Sequence, residues 1–138
     1  MLNLVGLGLG SEDDLTLRGC NVLKKCENVF LDTYTSPFLG DVQKIEALIG
    51  KKITLCNRAR VETDDTIIEL AKTQDVAFAV VGDVFAATTH MDLVLRARKM
   101  NIRVTVVHNA SILTAVGETG LSLYKFGQVT SIPFVTGK

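Results

Sequence analysis

Three short stretches carry residue types that can bind a ligand and do chemistry with it: Gly6-Leu-Gly-Leu-Gly10, Val80-Val-Gly-Asp-Val-Phe-Ala-Ala-Thr-Thr-His90 and His108-Asn-Ala-Ser-Ile112. In the second, Asp83 offers a carboxylate that could accept hydrogen bonds from a ribose or an amino group, or could cap the backbone amides that follow it. In the third, Ser111 is either a helix N-cap or a ligand contact. The first stretch, with Asp32 further along, imitates the dinucleotide fingerprint, in which glycines admit a pyrophosphate and an acidic residue holds a ribose. Here the third glycine falls one residue early, Ser11 stands in its place, and Glu12 and Asp13 would repel an anion. A tight glycine turn reads that loop as well as any ligand role does. His90 falls in a first helical turn as a capping or surface histidine, and His108 ends an apolar strand as a satisfied buried one. Neither takes a catalytic duty. With no Cys or second His near either of them in sequence, no metal site is expected.

These loops need a scaffold, and the chain supplies one. Val76 to Val81 is an unbroken apolar run that suits a strand buried on both faces of a parallel sheet. Further strands are predicted over Leu2 to Leu9, Val29 to Leu31, Lys52 to Leu55 and Arg103 to Val107, with a last β-rich run from Val129 to Phe134. Helical spacing predicts helices over Thr16 to Lys25 and over Asp41 to Ile49, the latter stopped by Gly50. Thr63, followed by Asp64 and Asp65, is expected to cap a helix carrying Ile67, Ile68, Leu70 and Ala71. Thr89 with Asp92 reads as a capping pair for a helix reaching about Met100, and Leu113 to Val116 continues helically to Gly117. This alternation predicts a single α/β domain: a five-stranded, mostly parallel sheet with helices on both faces and right-handed crossovers. All three loops would then open on one edge of the sheet and line one cleft.

Composition narrows the partners. Lys plus Arg and Asp plus Glu balance at 15 each in 138 residues, so no field of one sign announces nucleic acid or an anionic membrane. No apolar run approaches the roughly 18 residues of a membrane span. The first residues enter a strand pattern without a basic leader, so no signal peptide is read there. Cys20, Cys26 and Cys56 lack Cys-x-x-Cys spacing and read as reduced thiols, which suits the cytoplasm. A mean hydropathy of +0.28 is high for a lone domain and points to packing against a second copy or another domain.

At these same loops the sequence resembles a known family. Leu4-Val-Gly-Leu-Gly-Leu9, Thr16-Leu-Arg-Gly19, Val81-Gly-Asp-Val-Phe-Ala-Ala-Thr-Thr-His-Met-Asp-Leu-Val-Leu-Arg96, His108-Asn-Ala-Ser-Ile112 and Gly120-Leu-Ser-Leu-Tyr-Lys-Phe-Gly127 are similar to the diphthine synthases, methyltransferases of the tetrapyrrole methylase superfamily. The resemblance implies a cofactor-side N-terminal domain that uses S-adenosyl-L-methionine and releases S-adenosyl-L-homocysteine. It implies methylation of the modified histidine of translation elongation factor 2 in diphthamide biosynthesis, and a homodimer. Carried over by position, the cofactor contacts fall at Leu9, Asp83, Ala86, Ser111 and Ile112. The family usually has Pro where Val84 stands and Gly where Ala86 stands. Family members continue into a second domain that supplies the rest of the cleft, so this chain alone should bind the cofactor weakly. Two other readings compete: a non-catalytic dimerisation or scaffold module, and a nucleotide-binding Rossmann-like domain.

Overall fold

A computed structural model describes residues 1–86 and 90–130. Five strands form one sheet: β1 (Leu2–Gly6), β2 (Asn28–Asp32), β3 (Ile53–Cys56), β4 (Val76–Val80) and β5 (Val104–Val107). Their order is β3-β2-β4-β1-β5, and every pairing is parallel. The helices are α1 (Leu17–Lys25), α2 (Val42–Ile49), α3 (Arg58–Glu62), α4 (Thr66–Ala71), α5 (His90–Lys99) and α6 (Ile112–Ala115).

The period-2 pattern of the central strands explains the layering. In β4, Val76, Phe78 and Val80 point to one face, while Ala77 and Ala79 point to the other. In β1, Leu2 and Leu4 join the first set and Val5 the second. Around Phe78 pack Val61 of α3, Ile67, Ile68 and Ala71 of α4, and Leu93, Val94 and Ala97 of α5. Against Ala77 and Ala79 pack Leu23 of α1 and Ile45 and Ile49 of α2. Both central strands are buried on both sides, as an apolar run without alternation requires.

The local signals for α1 and α2 act as expected. The Thr16 hydroxyl accepts from the Gly19 amide at 3.0 Å, and Asp41 Oδ1 accepts from the Gln43 amide at 2.8 Å. Four expectations are corrected. β1 ends at Gly6, not Leu9, because the following residues turn to meet another loop. Thr63 ends α3, a helix the pattern does not show, and its hydroxyl donates to the Ala59 carbonyl; Asp64 instead accepts from the Thr66 amide at 2.8 Å. Ser11 to Asp14 is not plain loop but a 3₁₀ turn over Glu12–Asp14. Val129 and Thr130 carry no strand; the rest of that run, like the Thr89 half of the proposed capping pair, lies outside the described residues. No helix among the described residues is long and apolar enough to cross a membrane.

Candidate functional site

The crossover from β1 leads across one face of the sheet and that from β4 across the other, so the gap between the ends of these neighbouring strands is a topological switch point. The loops that follow them are joined there. Gly8 and Gly82 form an antiparallel bridge: the Gly82 amide donates to the Gly8 carbonyl at 2.7 Å and the Gly8 amide to the Gly82 carbonyl at 3.3 Å. Both take left-handed φ, +86° and +76°, which only glycine adopts at little cost. Gly6 matters for space instead: a methyl group on it would lie 2.6 Å from the Gly82 carbonyl oxygen and 2.9 Å from Asn109 Cβ.

The third loop is pinned to the first by Asn109, whose side-chain amide donates to the Gly6 and Asp14 carbonyls, each at 3.0 Å. It is pinned to the second by Asp83. The Asp83 carboxylate accepts from the Phe85 amide at 3.0 Å, the Asn109 amide at 3.1 Å and His108 Nδ1 at 2.8 Å. Partial burial would raise its pKa, but these donors outweigh burial and hold it below the usual carboxylate range. Asp83 therefore keeps the cap that its position predicts and also clamps two loops.

Two acidic residues of the first loop, Glu12 and Asp14, are used within the fold. Asp14 folds back to accept from the Gly10 amide at 2.8 Å and the Ser11 amide at 3.1 Å. Glu12 accepts from the Asp41 amide at 3.1 Å and pairs with Lys44, tying the loop to α2. The amides that a pyrophosphate would need are thus already occupied by a carboxylate.

Asp32 is likewise unavailable to a ribose: it is 1 % exposed and lies 3.0 Å from His90 Nε2. Burial pushes the Asp32 carboxyl up, yet donation from His90 and from the Tyr34 amide holds it below its ordinary value. The two histidines exchange the roles expected of them. His90 is wholly buried, with Nδ1 3.2 Å from the Val84 carbonyl, whereas the His108 side chain is 68 % exposed. The bulk of α5 and the β2 end close over the first, and β5 ends at the surface before the second.

Of the five positions carried over from the resemblance, Leu9 and Ile112 are large apolar side chains left exposed, and both line one cavity of about 440 Å³ with Ala115, Val116, Glu118 and Thr119. Ser111 is buried at the start of α6 with its α carbon 3.8 Å from where a Gly82 side chain would begin. Ala86 is half-buried one residue past Phe85, its amide donating to the Asp83 carbonyl at 3.2 Å. It does not take a left-handed φ, so alanine fits there without strain. Four of the five lie on loops of one sheet edge, and Ile112 opens α6 directly after the third loop. Among the described residues no three His, Cys, Asp or Glu side chains are grouped to hold a metal.

Comparison with known proteins agrees with this topology. The family model of the Tetrapyrrole (Corrin/Porphyrin) Methylases matches residues 1–137. The chain belongs to the tetrapyrrole methylase family. It is 51% identical over 138 residues to the diphthine methyl ester synthase of Kluyveromyces lactis, covering 99% of this chain and 46% of that protein. It is 50% identical over 137 residues to the Homo sapiens diphthine methyl ester synthase, covering 99% and 48%. A crystal structure of diphthine synthase superposes with a TM-score of 0.87 at 35% identity, covering 91% of this chain and 51% of that one. That of a putative diphthine synthase from Entamoeba histolytica gives 0.83 at 49% identity, covering 93% and 48%. The chain spans about half the length of the curated relatives it matches.

Within this tetrapyrrole methylase fold, Asn109 is the residue that reasoning from the sequence passes over. An Asn between a strand and a helix looks like a turn residue. Its reach to Gly6 and Asp14 appears only once β5 is known to lie beside β1.

Proposed function

We propose that residues 1–138 form the cofactor-side domain of an S-adenosylmethionine-dependent methyltransferase of the diphthine synthase type. Its acceptor would be the modified histidine of translation elongation factor 2, in diphthamide biosynthesis, and it would work as a homodimer. The observation that carries this reading is the joining of three loops at the switch point, where an ionised Asp83 and the exposed apolar side chains of Leu9 and Ile112 share one edge. That mixture suits a ligand with an apolar ring, hydroxyls and positive charge. When bound, S-adenosylmethionine supplies the methyl group and its sulfonium leaving group. Leu9 and Ile112 would cover the apolar part, Asp83 would accept from a hydroxyl or ammonium group, and Ala86 and Ser111 would flank it.

Methyl transfer needs little from the protein beyond alignment, because in-line displacement proceeds when reacting atoms are held roughly 3 to 3.5 Å apart. Three loops that brace one another can hold such alignment. The dinucleotide reading is disfavoured, since Asp14 occupies the loop amides and His90 occupies Asp32.

Thermal unfolding with added ligand tests the proposal. A ligand at 100 times its Kd adds about 2.7 kcal/mol of stability, so S-adenosylhomocysteine should raise the Tm of the 138-residue chain while NAD and ATP do not. Asp83→Ala should weaken S-adenosylhomocysteine at least tenfold with its circular dichroism unchanged. Stabilisation by NAD alone would select the nucleotide-binding reading, and indifference to every ligand would select a scaffold.

A further inference from the structure

The fully buried His90 ring faces two groups that each ask it for a proton. Nδ1 lies 3.2 Å from the Val84 carbonyl, which can only accept. Nε2 lies 3.0 Å from Asp32 Oδ2. Asp32 Oδ1 accepts from the Tyr34 amide at 3.0 Å, and the carboxyl is held below its ordinary pKa, so it too is an acceptor. Each ring nitrogen thus faces one buried acceptor, and the ring bridges the end of β2 and the Val84 carbonyl. We infer that the Asp32–His90 pair is a positioning device that braces the cofactor-side loop against the end of β2.

The bracing is geometric. Val84 stands next to Asp83 and two residues from Ala86, so a bond to its carbonyl fixes the segment that carries both. Through Gly82 that segment also holds the Gly8 loop. The ring packs against Phe78 of β4, with centroids 5.5 Å apart, so it cannot slide along the sheet face. Among the described residues, charged and titratable neighbours are few. Cys56 at the end of β3 is pushed up to about 11, by burial first and with a smaller contribution from Asp32, and stays a neutral thiol. Arg60 and Asp64 act on Cys56 from the α3 side, and the Tyr34 hydroxyl donates to Glu62. Asp32 is thus the ionised group on the ring among the described residues.

The link to the cofactor rests on the function proposed above, but the test does not. Amide exchange reads the bracing. Asp32→Asn should speed exchange at Gly82 and Phe85 at least tenfold while Leu4 and Phe78 in the sheet stay within twofold. His90→Gln should do the same and serves if Asp32→Asn does not fold. Unchanged exchange at Gly82 and Phe85 in the folded variant would refute the positioning role. A wild-type chain that binds no S-adenosylhomocysteine would sink the functional reading and leave the exchange result standing.

Discussion

At the scale of single residues, the site loops are governed by contact distances that a methyl group would violate. Gly6→Ala would drive Cβ into the Gly82 carbonyl at 2.6 Å and Asn109 Cβ at 2.9 Å, both parts of the loop bracing rather than flexible side-chain ends. Overpacking of this kind costs about 1–3 kcal/mol, and urea denaturation should show that loss. Gly117→Ala is the matched control: nothing lies within 4 Å of the added methyl, so stability should change by less than about 0.5 kcal/mol. An equal loss at both positions would mean that the three loops are not packed as described. The glycine pattern of the first loop was visible in the chain; its purpose was not, because the atoms that crowd Gly6 come from residues 76 and 103 positions away.

At the scale of elements, one carboxylate, that of Glu12, ties the first loop to α2. Glu12 is lowered to about 2 by its bond with Lys44 and by the Asp41 amide. Its ordinary value is about 4.3, so the folded form binds the proton more weakly than the unfolded chain does. The tie therefore contributes fully above about pH 4.5 and fades as pH falls through the folded value of about 2. NMR titration of the Glu12 carboxyl should find a midpoint near 2, and Lys44→Met should move it upward toward the ordinary range. A midpoint already in the ordinary range in the wild type would show that the tie is absent in solution. Helix caps belong to the same scale, and there the sequence is a good guide. Thr16 and Asp41 act within three residues of themselves, so no tertiary information is needed to place them. Thr63 and Asp64 were harder, because a five-residue helix ends where a longer one was expected to begin.

At the scale of the whole molecule, the sheet is held between two unequal apolar layers, and among the described residues Phe78 is the largest wholly buried side chain in the thicker one. Phe78→Ala should cost about 3–5 kcal/mol. That is a large share of the 5–15 kcal/mol that stabilises a typical domain, and chemical denaturation would measure it. A loss below about 1 kcal/mol would place the core elsewhere.

The apolar run of β4, with no polar residue to face solvent, required a two-sided parallel sheet, since a strand exposed on either face would alternate. The order of strands and helices then followed from their spacing along the chain, and with it the edge on which three loops gather. Burial of the histidines did not follow. His90 opens α5 and His108 follows β5, and their local surroundings assign burial to the wrong one of the two. The difference arises because Asp32, 58 residues before His90, ends β2 beneath the start of α5, while β5 runs out at the surface beside Asp83. Local pattern could name the loops that form the site, but only the assembled sheet brings each histidine to its carboxylate partner.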